Sequence, residues 1–275
     1  MPIAYLPGRG VVEVTGEDRA AFLQGLVSND IARAAPGAAV WAALLTPQGK
    51  WLADFFVFAD GERLLLDCAR DAAPGLAASL SRFRLRSKVA LRDASAEFAV
   101  HAGWGGSPPP AGAIAAPDPR LPEAGWRALA PAPLAAEADA ADYDRHRLSL
   151  GLPDGAPDME REKSVLLEGG FDELSGVSWS KGCYMGQELT ARTKYRGLLK
   201  RRLFPVAVDG PPPAPGTPVT RDGAEVGEMR SARDGVGLAL LRIEAAEAGQ
   251  PLRCGEAVLT PRIPGWMRLP SREPA

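Results

Sequence analysis

Four prolines in six residues, Pro211-Pro212-Pro213-Ala214-Pro215-Gly216, set the strongest limit on how this chain can fold. Proline lacks a backbone N–H and has a fixed φ, so such a run cannot lie inside a helix or a central strand. It reads as a boundary between a region 1–209 and a smaller region 210–275. Beyond it, short apolar segments alternate with the turn signals Asp222-Gly223, Asp234-Gly235 and Ala248-Gly249. Short strands at that spacing predict a small β-barrel or sandwich. The last residues, 270–275, read as a frayed tail.

Upstream, residues 10–14 alternate as a short strand, and residues 17–27 carry Phe22, Leu23 and Leu26 on one helical face. The apolar runs 40–46 and 51–59 flank the turn Pro47-Gln48-Gly49-Lys50, and Asp60-Gly61 is a hairpin signal leading into Leu64-Leu65-Leu66. A helix is predicted over 71–84, with Leu76, Leu80 and Phe83 at helical spacing, and residues 87–92 close the unit as a strand. This order predicts an α+β layer with helices on an antiparallel-rich sheet. Residues 97–103 and 126–129 read as further strands, and 141–150 as a helix ended by Gly151. Pattern alone does not assemble the stretch 97–182 into a unit.

The bulk numbers narrow the function classes. With 275 residues, 46% hydrophobic and 24% charged, the chain has the composition of a soluble globular protein with room for two cores. A net charge of −2 gives no overall pull towards nucleic acid or an anionic membrane, so any basic site must be a local patch. Cys68, Cys183 and Cys254 are far apart and odd in number, which excludes a disulfide framework and a complete four-cysteine cluster site within the chain. His101 and His146 are the only histidines, so no zinc site of usual spacing is expected, and no metal ligand is assigned. The N-terminus lacks a signal pattern and no apolar run approaches a membrane span, so a cytoplasmic location with no membrane partner is expected. No long apolar stripe argues for an obligate oligomer, and a monomer is expected.

The string Lys181-Gly182-Cys183-Tyr184-Met185-Gly186-Gln187-Glu188 stands apart. It sets a thiol between two glycines and two residues from an ammonium, then opens a polar run that predicts a helix start. A nearby cation and a helix N-terminus both favour a thiolate, able to attack an electrophile, hold iron transiently or form a mixed disulfide. The bland alternative is a buried packing cysteine. Downstream, Arg192, Lys194, Arg196, Lys200, Arg201 and Arg202 form a cationic stretch with no intervening acid. It would attract an anionic ligand tail or simply be a solvated face. Single-stranded nucleic acid is set aside, because only Tyr195 could stack there.

KGCYMGQE, followed by LTART, Tyr195-Arg196-Gly197 and Lys200-Arg201-Arg202, resembles the signature of the YgfZ-type folate-binding proteins. These are bacterial relatives of mitochondrial iron–sulfur assembly factors, in the superfamily of the glycine-cleavage T-protein, an aminomethyltransferase. Phe22-Leu23-Gln24-Gly25, Ser28-Asn29-Asp30, Pro47-Gln48-Gly49-Lys50 with Asp54, the segment 147–153 and Leu167-Glu168 agree with that pattern in order and spacing. The resemblance implies an α+β, three-lobed T-protein-like fold: two α+β lobes and a C-terminal β-barrel around a central cavity. It implies tetrahydrofolate or a one-carbon derivative in that cavity, with Glu168 on the pterin, Asp54 near the reactive nitrogen, and Asn29, Arg192 and Arg196 as further contacts. Ala53 stands where the T-proteins usually show a second acid, which weakens aminomethyl-transfer chemistry.

The implied role is a folate-dependent accessory factor for iron–sulfur assembly or repair, with Cys183 as its working residue and no conventional turnover. The alternative is a folate-dependent aminomethyltransferase or other one-carbon transferase. Partners are then folate and iron–sulfur client or assembly proteins.

Overall fold

The computed structural model describes residues 1–269, so the expected tail at 270–275 lies outside the described residues. In chain order its strands and helices are β1 (Ile3–Tyr5), β2 (Arg9–Thr15), α1 (Arg19–Gln24), β3 (Val40–Leu45), β4 (Trp51–Asp60), β5 (Arg63–Ala69), α2 (Ala73–Ser81) and β6 (Ala90–Asp93). There follow β7 (Ala99–Gly103), β8 (Ile114–Pro117), β9 (Trp126–Ala130), α3 (Ala140–Leu150) and α4 (Gln187–Tyr195). The last elements are β10 (Arg201–Asp209), β11 (Pro218–Arg221), β12 (Ala224–Arg233), β13 (Val236–Arg242), α5 (Ile243–Glu247), β14 (Leu252–Cys254) and β15 (Ala257–Pro261).

The first sheet has five strands in the order β3-β4-β5-β2-β6. Its central strands read as unbroken apolar runs because both faces are covered. On one face Val12, Ala42, Phe55, Val57 and Leu66 pack against Phe22, Leu23, Leu76 and Leu80 of α1 and α2. On the other, Val11, Trp41, Ala43, Phe56, Phe58 and Leu65 join Val100, Ala102 and Leu129 of a second, four-stranded sheet ordered β1-β7-β9-β8. The stretch that pattern could not assemble thus becomes a sheet once β1 pairs antiparallel with β7, Ile3 opposite Gly103.

The barrel closes as β10-β13-β12-β11-β14-β15. It begins at Arg201, ahead of the proline run, so that run is a loop inside the barrel and the 209/210 boundary moves upstream. Phe83, expected on the buried face of α2, lies beyond the helix end and is 40% exposed.

Between the two sheets lies a layer of paired charges. The Arg127 guanidinium donates to Asp67 at 2.6 Å, with side chains 1% and 0% exposed, and its Cζ lies 4.0 Å from the Phe56 ring centroid. Arg9 donates to both Asp67 (2.7 Å) and Asp154 (2.8 Å). Arg120 forks onto Asp118 and sits over Trp41 and Phe56. Arg147 on α3 donates to Asp158 at 2.6 Å, and Ser231 of the barrel donates to the other oxygen of Asp158, also at 2.6 Å. The layer therefore links both sheets, α3 and the barrel.

Burial alone would raise the Asp154 carboxyl, but Arg9, Arg147 and Arg127 hold it down to about 2, below its ordinary 3.8. A carboxyl depressed in the folded state contributes stability that is complete above its unfolded value and is lost as pH falls through its folded value. Asp154→Asn is expected to remove about 2 kcal/mol at neutral pH and to flatten the acid limb of the stability curve between about pH 4 and pH 2. Urea unfolding at a series of pH values measures both.

Candidate functional site

Cys183 is exposed, whereas Cys68 and Cys254 are buried, and burial pushes the Cys68 thiol up to about 12. The exposed sulfur sits on the loop that precedes α4. That loop is mounted on the first sheet by segments distant in sequence. Gly186, at φ 79, packs against the turn after β3: a Cβ there would clash with Thr46 O and lie 2.9 Å from the Leu45 Cβ. Gly49, at φ 81, faces back, and its Cβ would come within 2.6 Å of Gly186 O and of the Leu189 Cβ. Two glycines therefore let two backbones touch. The Met185 amide donates to Gly25 O at 3.1 Å, fixing the loop to the end of α1.

Lys181 completes the mount. Its Nζ donates to the carbonyls of Gln24, Val27 and Asn29 at 2.7, 2.8 and 2.8 Å and lies 5.3 Å from the Tyr184 ring centroid. Burial pulls this amine down to about 8, against a smaller opposing pull from Asp30. The expected role of Lys181 beside the thiol is thus corrected: its donors go to the carbonyls at and beyond the end of α1, where a cation meets the negative end of the helix. Tyr184 is buried, Gln187 accepts from the Tyr184 amide at 3.1 Å, and Gly182 and Glu188 are exposed. Glu188 lies in the first turn of α4, where its charge suits the helix.

Asn29 is also corrected. Its Nδ2 donates to Trp41 O and Ser175 O at 2.7 and 2.6 Å, and its Oδ1 accepts from the Asp30 amide, so its polar atoms face protein. The neighbouring Ser28 accepts from the Ala43 amide and donates to Gly176 O at 2.6 Å. The Ser28-Asn29-Asp30 segment is therefore a brace between β3 and the approach to the cysteine loop. Ser28 was named in the family pattern but given no role, since a small polar residue gives no sign of the partner it will meet.

Neither acid assigned to folate lines any of the main hollows formed by the described residues. Asp54 is 6% exposed, on the face of the first sheet that meets the second. Its Oδ2 accepts from Trp41 Nε1 at 3.0 Å, its Oδ1 meets no partner, and burial raises its carboxyl. Trp41 is wholly buried and stacks on Phe171 with ring centroids 3.9 Å apart. Glu168 accepts from the Val165 amide at 3.2 Å and faces Arg201 at 3.4 Å. The unpartnered oxygen of Asp54 is a feature a ligand N–H could answer. That oxygen is itself buried and Trp41 takes the other, so the residues as they stand leave no opening for tetrahydrofolate at Asp54.

Of the cationic stretch, Lys194 pairs with Asp172 at 2.9 Å and Arg202, buried, forks onto Glu173. Arg192, Arg196 and Lys200 are exposed. Lys194, Arg202 and Arg268 line a cavity of about 520 Å³ with Asp172, Glu173 and Trp266; neither Asp54 nor Glu168 lines it. The histidines have structural settings: His101 Nε2 accepts from the Leu134 amide at 3.1 Å, and His146 stacks on Trp104. Among the described residues no group of three or more His, Cys, Asp and Glu is arranged to hold a metal ion.

Two facing antiparallel sheets with a closed terminal barrel define the T-protein class of fold. The glycine cleavage system aminomethyltransferase T of Bartonella henselae superposes over 96% of this chain and 86% of its own, with a TM-score of 0.75 at 13% identity. At that identity the likeness shows the fold alone. Residues 200–269 match the family model of the CAF17 C-terminal β-barrel domain. The iron–sulfur cluster assembly factor IBA57, mitochondrial, of mouse is 34% identical across 95% of this chain and 84% of its own length, and the human protein matches to the same extent. The homologue of Mycosarcoma maydis is 38% identical over 238 residues, where the match spans 59% of the fungal protein. The chain belongs to the IBA57 family of iron–sulfur cluster assembly factors. The expected cytoplasmic location is overturned by these relatives, which are mitochondrial proteins.

Two substitutions test the mount. Gly186→Ala is expected to destabilise by about 1–3 kcal/mol through its left-handed backbone and its contact with the turn. Lys181→Met is expected to cost about 2 kcal/mol by leaving carbonyls without their charged donor. In both variants hydrogen exchange should rise across residues 182–186 while the barrel amides stay protected; unchanged exchange in that loop would refute the mount.

Proposed function

We propose that this protein is an accessory factor for iron–sulfur cluster assembly or repair whose working group is the Cys183 thiol, presented to a partner on a firmly held loop. The observation that carries the reading is the contrast between this exposed sulfur and the effort spent in holding its loop, which draws on α1, the 28–30 segment and the turn after β3. A cluster is the cargo here. One thiolate supplies one of the roughly four ligands that a cluster takes, so the others must come from the partner or from sulfur-bearing small molecules. The narrower placement with the YgfZ-type proteins rests on the KGCYMGQE string and the residues that follow it.

With Trp41 hydrogen-bonded to a buried Asp54 and stacked on Phe171, this reading contains no folate step and no aminomethyl transfer. Ala53, in place of a second acid, speaks against aminomethyl transfer but not against folate. Calorimetry with tetrahydrofolate is expected to give no binding heat; a heat that disappears in Glu168→Ala would restore the folate-dependent reading, including the transferase alternative.

Cys183→Ala is expected to change stability by less than about 0.5 kcal/mol, as exposed positions do, and to abolish rescue of iron–sulfur enzyme activity in cells lacking the chain. Full rescue by that variant would remove the cysteine from the account.

A further inference from the structure

Outside the cysteine loop, the most unusual surface lies just past α2. Every residue of 82–86, Arg82-Phe83-Arg84-Leu85-Arg86, is exposed. Leu85 is 90% exposed and has a left-handed backbone, φ 42, which a branched apolar residue rarely adopts. Phe83 adds a ring 40% exposed. Among the described residues the guanidinium groups of Arg82, Arg84 and Arg86 meet no acid, whereas most buried arginines of this protein are paired. The nearby acids are engaged: Glu17 pairs with Lys88 at 2.9 Å and Asp18 accepts from the Lys88 amide at 2.7 Å. An open hollow lined by Asp18, Ala21, Phe22, Leu85, Arg86 and Ser87 borders the segment.

A single exposed leucine is ordinary. Two apolar side chains set between three unpaired arginines are a different case. In water this arrangement gains nothing from Phe83 or Leu85. At a lipid interface both can leave water, while long guanidinium side chains stay at the level of the phosphates. Nucleic acid suits it less well, since Leu85 offers no ring for a base. A protein partner would need roughly 800 Å² of matched surface, far more than a five-residue tip presents. The overall charge of −2 required any basic site to be local, and this segment meets that condition, revising the expectation of no membrane partner.

We propose that the 82–86 segment docks the protein reversibly on an anionic phospholipid surface, with Phe83 and Leu85 entering the acyl boundary and Arg82, Arg84 and Arg86 meeting the phosphates. Each basic residue close to such a surface contributes roughly fivefold in partitioning, so three together give about 100-fold. Burial of Leu85 adds about tenfold or more. Anchoring of this size is reversible and weakens as salt screens the charges.

The test is co-sedimentation of the full chain with vesicles of phosphatidylcholine and phosphatidylglycerol in equal parts, beside vesicles of phosphatidylcholine alone. Expected are binding to the anionic vesicles only, loss of that binding in high salt, a drop of about 100-fold for Arg82→Ala/Arg84→Ala/Arg86→Ala and about tenfold for Leu85→Asn, whose side chain tolerates the backbone there. Thermal melts show whether each variant is folded, and the salt titration needs no variant. Absence of binding to anionic vesicles, equal binding to neutral ones, or binding indifferent to the arginines would overturn the proposal. Capture of single-stranded RNA that depends on the arginines but not on Leu85 would overturn it too, assigning the segment to nucleic acid. None of these outcomes bears on Cys183.

Discussion

The hydrogen-bonded pair of Arg127 and Asp67 decides what the middle of this molecule can be. Both groups are sealed from water, and desolvating two charges costs several kcal/mol each, which their attraction offsets only with good geometry and further partners. The further partners are present. Asp67 also accepts from Arg9, and Arg127 also donates to the Tyr143 hydroxyl at 2.7 Å. Arg127, Arg9 and Arg120 are in turn laid over the Phe56 ring. Such a layer tolerates little displacement, because a shift of either sheet would strand a buried charge. It fixes the register of the two sheets where they face each other.

The cysteine loop is held by a different kind of contact. Its anchors are backbone carbonyls, amides and two glycines, with a single ammonium among them. These contacts depend on shape more than on charge, and the one charge among them, Lys181, is partly desolvated and answered by three carbonyls. The separate stretches 22–25, 28–30, 47–50 and 181–188 meet around one loop. They orient a sulfur on a rigid frame, as pre-organised sites require.

Much of the first sheet, and the end of α3, was legible because the signals are local: apolar runs of strand length and Asp60-Gly61 for the sheet, and Gly151 in the left-handed conformation for the helix. The barrel was visible for the same reason, although its first strand was missed. Residues 201–209 contain Pro205 and precede the proline run, which drew the boundary to itself. The second sheet was hidden because β1 and β7 pair across most of the first lobe, and no local pattern records such a partner. Asp54 could be read as facing solvent or a ligand; it faces a tryptophan that follows Val40 in the neighbouring strand. Lys181 misled through proximity in sequence, since its flexible stem commits the ammonium to three carbonyls of residues 24–29. The KGCYMGQE string marked a loop that carries an exposed cysteine, and its second glycine is required by the close approach of the turn after β3.

The burial of Cys68 and Cys254 has a practical consequence. A thiol-reactive fluorophore applied to the native chain will attach at one place, with no cysteine engineered in or out. The dye would then stand at the suspected point of exchange with a partner. Its brightness and anisotropy would report, in real time, on whatever comes to rest there.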